Sequence, residues 1–143
     1  MNTLDRKLQH LGFVPFTDYQ LEKTLAGDIR IASWTSKKPQ PTQESLDLID
    51  ANELADFDRI QAIKLAARIH ILAVFPEWKQ ANMIARAVDL VDRGDARSAS
   101  EDTELSALRA AWAWVETVRT ESNIAEVAGT PADDVTFTAW PGG

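Results

Sequence analysis

The feature that most constrains the fold is a change of hydrophobic period across a pair of prolines. Apolar and polar residues alternate from 19 to 34, as on a β-strand, whereas beyond residue 42 apolar residues recur at helical spacing. Pro39 and Pro41 stand two residues apart between these segments, and such a pair does not fit inside a sheet. The sequence therefore predicts a sheet-forming part over residues 1–38, followed by a helical part.

The N-terminal part is predicted to contain a short helix and a β-hairpin. Leucines at i, i+4 and i+7 follow Thr3, which we expect to cap the helix, and Gly12 is expected to end it. The alternating stretch over 19–34 is interrupted near Gly27, which predicts the turn of the hairpin. A lone hairpin is barely stable, so its apolar face should pack on other parts of the chain or on another chain.

The helical part, residues 39–129, is expected to form an antiparallel bundle of about three helices. Its first long helix should end at or before Phe75, because Pro76 disfavours helical geometry in the residue before it. A second helix should begin at Pro76 and stop at Gly94. The core stripe predicted for this second helix consists of Ala81, Ile84, Ala85, Val88 and Val91.

A third helix and an extended tail complete the prediction. Ser98 and Glu101 have capping-box spacing, and the helix they start should run towards Gly129. Its predicted core stripe consists of Leu105, Leu108, Trp112, Val115 and Val118. Residues 130–143 alternate again, so this tail either adds an edge strand to the hairpin or waits for the sheet of a partner. The expected fold class is α+β.

Composition excludes several classes of function. The net charge of -7 makes direct binding to nucleic acid or to an anionic membrane surface improbable, since both need a basic patch. No stretch approaches the roughly 18 apolar residues of a membrane span, and the polar N-terminal segment does not resemble a secretory signal. The absence of cysteine excludes disulfides and thiolate chemistry. We therefore expect a soluble, cytoplasmic protein without membrane or nucleic-acid partners.

The sequence offers little chemistry for catalysis. His10 precedes a predicted helix end and His70 lies among apolar neighbours, so structural roles are favoured for both. The six acids between 44 and 58 lack the central glycine of a calcium loop, so solvated helix faces are the favoured interpretation. The phosphate-binding, zinc-protease and serine-hydrolase motifs are missing. We expect no enzyme activity, cofactor or metal.

The five tryptophans favour a binding protein over an enzyme. Trp114 follows Trp112 by two residues, roughly 200° around a helix, so the two cannot face the same core. Trp34, Trp78 and Trp140 stand near the ends of predicted elements, and tryptophan is enriched at the centres of protein interfaces. For any one of them, covering the end of a small core is an equally good explanation.

Three segments resemble small proteins of tailed bacteriophages and prophages that assemble or associate with the tail fibre. The matching residues are Trp34, Pro39, Pro41 and Thr42, then Trp78, Lys79 and Gln80, and finally Trp114, Val118, Arg119, Ser122 and Asn123. The resemblance implies a protein without a catalytic site that contacts a fibre or baseplate protein. It implies action in the host cytoplasm during assembly, with retention in the virion tail and self-association as further expectations.

The candidate partner-binding residues are Trp34, Trp78, Lys79, Gln80, Trp114 and Trp140. For the group at 78–80, two interpretations stay open, namely a structural corner set by Pro76 and a contact with a partner. An alternative function is an acidic phage-encoded regulator that binds a basic host protein by charge complementarity. This alternative is supported by the net charge of -7 and by the acidic run over 44–58.

Overall fold

The computed structural model describes residues 2–142 and has an α+β fold that is mostly helical. In this range a two-stranded antiparallel sheet accompanies five α-helices and two 3₁₀ turns. The elements are α1 (Thr3–His10), β1 (Tyr19–Lys23), β2 (Ile29–Trp34), α2 (Gln43–Asp47), α3 (Ala51–Val74), α4 (Glu77–Asp92) and α5 (Ala99–Ala128). The chain divides into two compact units between Asp58 and Arg59, whereas the sequence places its boundary at residues 38 and 39. The division falls later because α2 packs against α1.

In the first unit, α1 begins at Thr3, the residue that was predicted to cap it. Asn2 is the N-cap and accepts the backbone N–H of Asp5 at 2.8 Å, so Thr3 is the first helical residue and not the cap. Thr42 caps α2, accepting the N–H of Ser45 at 3.2 Å. The core of the unit consists of Leu8, Phe13, Tyr19 and Leu46.

The predicted hairpin is confirmed. Tyr19 pairs with Trp34 and Lys23 pairs with Ile29 in the antiparallel register. Gly27 lies in the turn with φ of 93°, a left-handed conformation that glycine adopts without steric cost. Tyr19 is fully buried and its hydroxyl donates to Asp5 at 2.5 Å, which ties the start of β1 to α1.

In the second unit, α5 has both predicted ends. Ser98 accepts the N–H of Glu101 at 3.2 Å, and the Glu101 carboxylate accepts the N–H of Ser98 at 2.9 Å. This reciprocal capping box starts the helix. Gly129 ends it with φ of 72°, and the left-handed cap explains why glycine is suited to this position.

Helices α3 and α4 contact successive parts of α5. Arg59, in the third turn of α3, donates to the carbonyls of Ala125 and Glu126 near the end of α5. Phe75 follows α3 and meets Trp114 in the middle of α5 at a ring distance of 5.7 Å. Farther along the chain, α4 packs against the first turns of α5. The part of α3 from Arg59 onwards therefore contacts the second half of α5, whereas α4 contacts its first turns.

The C-terminal tail is extended after a 3₁₀ turn at Ala132–Asp134. In residues 2–142, no third strand joins β1 and β2, so the tail does not form the predicted edge strand. It packs instead on the core of the second unit through Phe137 and Trp140. The tail is therefore held by packing of these aromatic side chains and by hydrogen bonds of Thr138, without strand pairing. None of the helices in the described range is both long enough and apolar enough to cross a bilayer.

Candidate functional site

The start of α4 is a structural corner built around Phe75. The Lys79 ammonium lies 5.1 Å from the centre of the Phe75 ring, which is cation–π geometry. The Gln80 amide donates to the Phe75 carbonyl at 2.6 Å, satisfying a carbonyl left free at the end of α3. Two of the three predicted contact residues at this position therefore stabilise the helix corner.

Trp78 differs from its two neighbours. Its side chain is 68% exposed, and within residues 2–142 it makes no hydrogen bond or ring contact. An exposed tryptophan of this size is costly in water, so Trp78 is the predicted site residue whose position best suits contact with another molecule.

Trp34 belongs to the core of the first unit. Its ring meets Phe13 edge to face at 4.7 Å and stacks near Tyr19 at 6.4 Å. Its indole N–H donates to the carbonyl of Lys38 at 2.8 Å. Both the ring and the indole N–H of Trp34 therefore have partners inside the first unit. Its role is structural, at the end of the hairpin.

Trp114 and Trp140 form one aromatic cluster with the C-terminal tail. Trp114 is 5% exposed, and its ring lies 5.7 Å from both Phe75 and Trp140. Trp140 also contacts Phe75 at 5.2 Å. Trp112, which the sequence placed in the core stripe, is only half-buried at the edge of this cluster. Trp114 takes the central place because α3 and the tail both pack on its side of α5.

Thr138 fastens the tail to the two helices. Its carbonyl accepts the indole N–H of Trp114 at 2.9 Å and contacts the Nε2 of His70 at 3.0 Å. Since a carbonyl only accepts, His70 carries its proton on Nε2. The backbone N–H of Thr138 donates to Glu121 at 2.9 Å, and its hydroxyl donates to the other oxygen of that carboxylate. His70 thus has a structural role in the tail contact.

The exposed surface of α4 is the strongest candidate for a contact site. Ile84, Val88 and Val91 are 47%, 56% and 51% exposed. With Trp78, Ala81 and Ala85 they occupy one side of the helix, and we name these six residues the α4 face. The five members other than Trp78 were predicted to face the core, and that prediction is wrong. The residues that turn towards the interior are Met83, Arg86, Ala87 and Leu90.

The ion pair between Arg86 and Glu104 fixes this orientation of α4. The guanidinium donates two parallel hydrogen bonds to the carboxylate, at 2.8 and 2.9 Å, in the bidentate geometry that arginine favours. Hydrogen bonding from Arg86 holds the pKa of Glu104 below its ordinary value, and the same bond raises the pKa of Arg86. Leu90, fully buried, follows Arg86 by four residues on the same side of the helix. The α4 face must then point away from α5.

A groove of about 380 Å³ lies between α3 and α5, with an apolar floor that includes Ala67 and Ile71. Its charged side chains are engaged with acids. Arg68 donates to Glu77 at 2.7 Å, Lys64 lies 3.8 Å from Glu126, and Arg119 donates to Glu116 at 2.6 Å. Because these cations already have anionic partners, the groove is a weaker candidate site than the α4 face.

The acidic run and the first histidine make local structural contacts. Asp50 accepts the N–H of Glu53 at 2.9 Å at the start of α3. His10 lies 3.3 Å from the Glu53 carboxylate and edge to face with Phe57. Within residues 2–142 no three ligand-type side chains are grouped as a metal site would require. In the acidic run, Asp50 therefore caps the start of α3, and Glu53 pairs with His10 at the surface.

Comparisons of this chain with protein-family models, with curated proteins and with solved structures find no match.

Proposed function

We propose that this protein acts without catalysis, by contact with other proteins, and that its partner is a component of a phage tail or tail fibre. The observation that carries the contact role is the α4 face. Six apolar side chains stand on one side of a helix, and the largest of them, Trp78, is 68% exposed. Contiguous exposed apolar surface rimmed by polar residues is characteristic of interaction sites.

The tail-associated role rests on the resemblance of residues 34–42, 78–80 and 114–123 to small tail-fibre assembly proteins. In this proposal the antiparallel helices α3, α4 and α5 form the body that presents the α4 face to a fibre or baseplate protein. Five of the predicted contact residues make internal contacts, namely Trp34, Lys79, Gln80, Trp114 and Trp140. In this proposal these residues therefore stabilise the fold and do not contact the partner.

The test is capture of the tagged protein from phage-producing cells, with purified particles examined alongside by mass spectrometry. Three forms are compared, namely the natural sequence, Val88→Asp on the α4 face and Val127→Asp on α5. Val127 is 91% exposed, so it gives the same substitution at a solvated position outside the face. We expect a fibre or baseplate protein with the natural sequence and with Val127→Asp, and its loss with Val88→Asp.

Recovery of the same proteins by all three forms would refute the role of the α4 face. Recovery of a basic host protein that is released by salt would support the regulator instead, because exposed charge pairs are screened by salt. Circular dichroism of both variants must match the natural protein, since a misfolded variant would lose partners for a trivial reason.

A further inference from the structure

We propose that the α4 face binds an amphipathic helix of another protein whose apolar stripe is flanked by lysine or arginine. The inference rests on the proposed contact function and adds the chemistry of the partner. It is carried by two properties of the same surface, which are the apolar stripe of α4 and the surplus of negative charge at the end of that stripe.

The stripe has the spacing that a helix partner requires. Trp78, Ala81, Ala85 and Val88 follow one another at intervals of three and four residues, with Ile84 and Val91 beside them. Side chains at such intervals form a continuous ridge on one side of a helix. Small alanines alternate with larger side chains along it, so the ridge has room for the apolar side chains of a second helix.

The end of the stripe is acidic. Asp92 follows Val88 by four residues and so continues the α4 face, and Asp95 comes soon after. In the described range neither carboxylate has an ion-pair partner. Over residues 86–104 the chain carries three arginines and six acids, a local net charge of -3.

The nearby cations cannot neutralise these two carboxylates, because each is engaged elsewhere. Arg86 binds Glu104, and Arg93 binds Asp89 and Glu101. Arg97 donates to Asp102 at 2.8 Å and to the Leu90 carbonyl at 2.9 Å. A cation that approaches Asp92 and Asp95 must therefore come from the partner.

A second copy of this chain does not supply that cation. If two α4 helices pair antiparallel, Glu77 at the start of one helix comes opposite Asp92 at the end of the other. If they pair in parallel, Asp92 faces its own copy. In the antiparallel pair the facing Glu77 is already bound by Arg68, and in the parallel pair two aspartates face each other, so neither arrangement brings an unengaged cation to Asp92. A basic amphipathic helix satisfies the apolar stripe and the acidic end at once.

Two synthetic helical peptides test this proposal with the full-length protein. Both carry the same leucine and alanine stripe, but one has lysines on both flanks and the other has glutamates. Binding is measured by fluorescence anisotropy at low and at high salt. We expect the lysine peptide to bind about tenfold or more tightly than the glutamate peptide at low salt, since opposed charges steer and stabilise the complex.

Protein variants locate the site. Val88→Asp should weaken binding of the lysine peptide by roughly tenfold or more, as for a central interface residue, whereas Val127→Asp should leave it unchanged. Replacing Asp92 and Asp95 by asparagine should weaken binding by about two- to fivefold and reduce its dependence on salt, as expected for exposed charge pairs.

Equal binding of the two peptides, or binding that Val88→Asp does not weaken, would overturn the inference. So would a dimer in light scattering that becomes a monomer with Val88→Asp, because a second copy would then occupy the face. If neither peptide binds while capture of tail proteins still depends on Val88, the basic-partner inference fails and the proposed function stands. If the lysine peptide binds at Val88 but no tail protein is captured, the tail-associated function fails alone.

Discussion

Replacing Trp140 by alanine tests whether the C-terminal tail is part of the folded second unit. The Trp140 ring lies 5.2 Å from Phe75 and 5.7 Å from Trp114, both edge to face. Such aromatic pairs contribute about 0.5–1.5 kcal/mol each beyond the area they bury. Removing a fully buried large aromatic side chain costs about 3–5 kcal/mol. Since Trp140 is only half-buried, we expect the free energy of unfolding to fall by about 2–3 kcal/mol.

The assay is urea denaturation followed by far-UV circular dichroism, because that signal reports α3, α4 and α5 and does not depend on the tryptophan removed. Trp78→Ala is the matched control. It makes the same substitution in the same unit, at a side chain that is 68% exposed. We expect this control to change the free energy of unfolding by no more than about 0.5 kcal/mol, as for a surface position.

Equal stability of the two variants would refute the reasoning, since it would mean that the tail does not dock in solution. Loss of partner capture by Trp140→Ala at unchanged stability would favour the interpretation made from sequence, in which Trp140 contacts the partner. A large loss of stability with Trp78→Ala would show that its ring packs on the chain.

Three further predictions concern single contacts. Thr138→Val removes the hydroxyl that donates to Glu121 and should lower the free energy of unfolding by about 0.5–1.5 kcal/mol in the same denaturation assay; the control is Thr136→Val, at an equally exposed threonine of the tail outside this contact. Gly129→Ala forces a side chain into a conformation with φ of 72° and should cost about 1 kcal/mol; an unchanged midpoint would mean that α5 ends differently in solution. Burial and the hydrogen bond to Asp5 raise the pKa of Tyr19, so its contribution should be complete below the ordinary tyrosine pKa of about 10 and decline above it. Tyr19→Phe should abolish this alkaline decline in pH-dependent unfolding, and a decline that persists would assign it to another group.

Local patterns were sufficient to predict most of the secondary structure. The hairpin around Gly27, the capping box at Ser98 and Glu101, and the helix end at Gly129 are all confirmed. Each depends on residues that are neighbours in the chain. Thr3 is the exception at this level, because Asn2 is an equally good cap one residue earlier and takes the position.

The predicted contact residues take different positions in the structure. Trp78 is exposed, as a contact residue should be. The indole N–H groups of Trp34 and Trp114 instead donate hydrogen bonds to the carbonyls of Lys38 and Thr138. Tryptophan suits both an interface and the edge of a core, so its position in the sequence does not separate the two roles. The sequence placed Trp112 in the core stripe and Trp114 off it, whereas in the structure Trp114 is buried and Trp112 is only half-buried.

The sequence by itself determined most of the helix and strand ends, because capping, proline restriction and hydrophobic period act between residues a few positions apart. Tertiary structure alone decided which side of α4 faces the interior. Periodicity gives the angle between apolar side chains on a helix, but α4 has apolar residues on two sides. Which of the two sides faces the interior depends on the ion pair with Glu104 and on the burial of Leu90. Glu104 belongs to α5, so this orientation depends on a helix elsewhere in the chain.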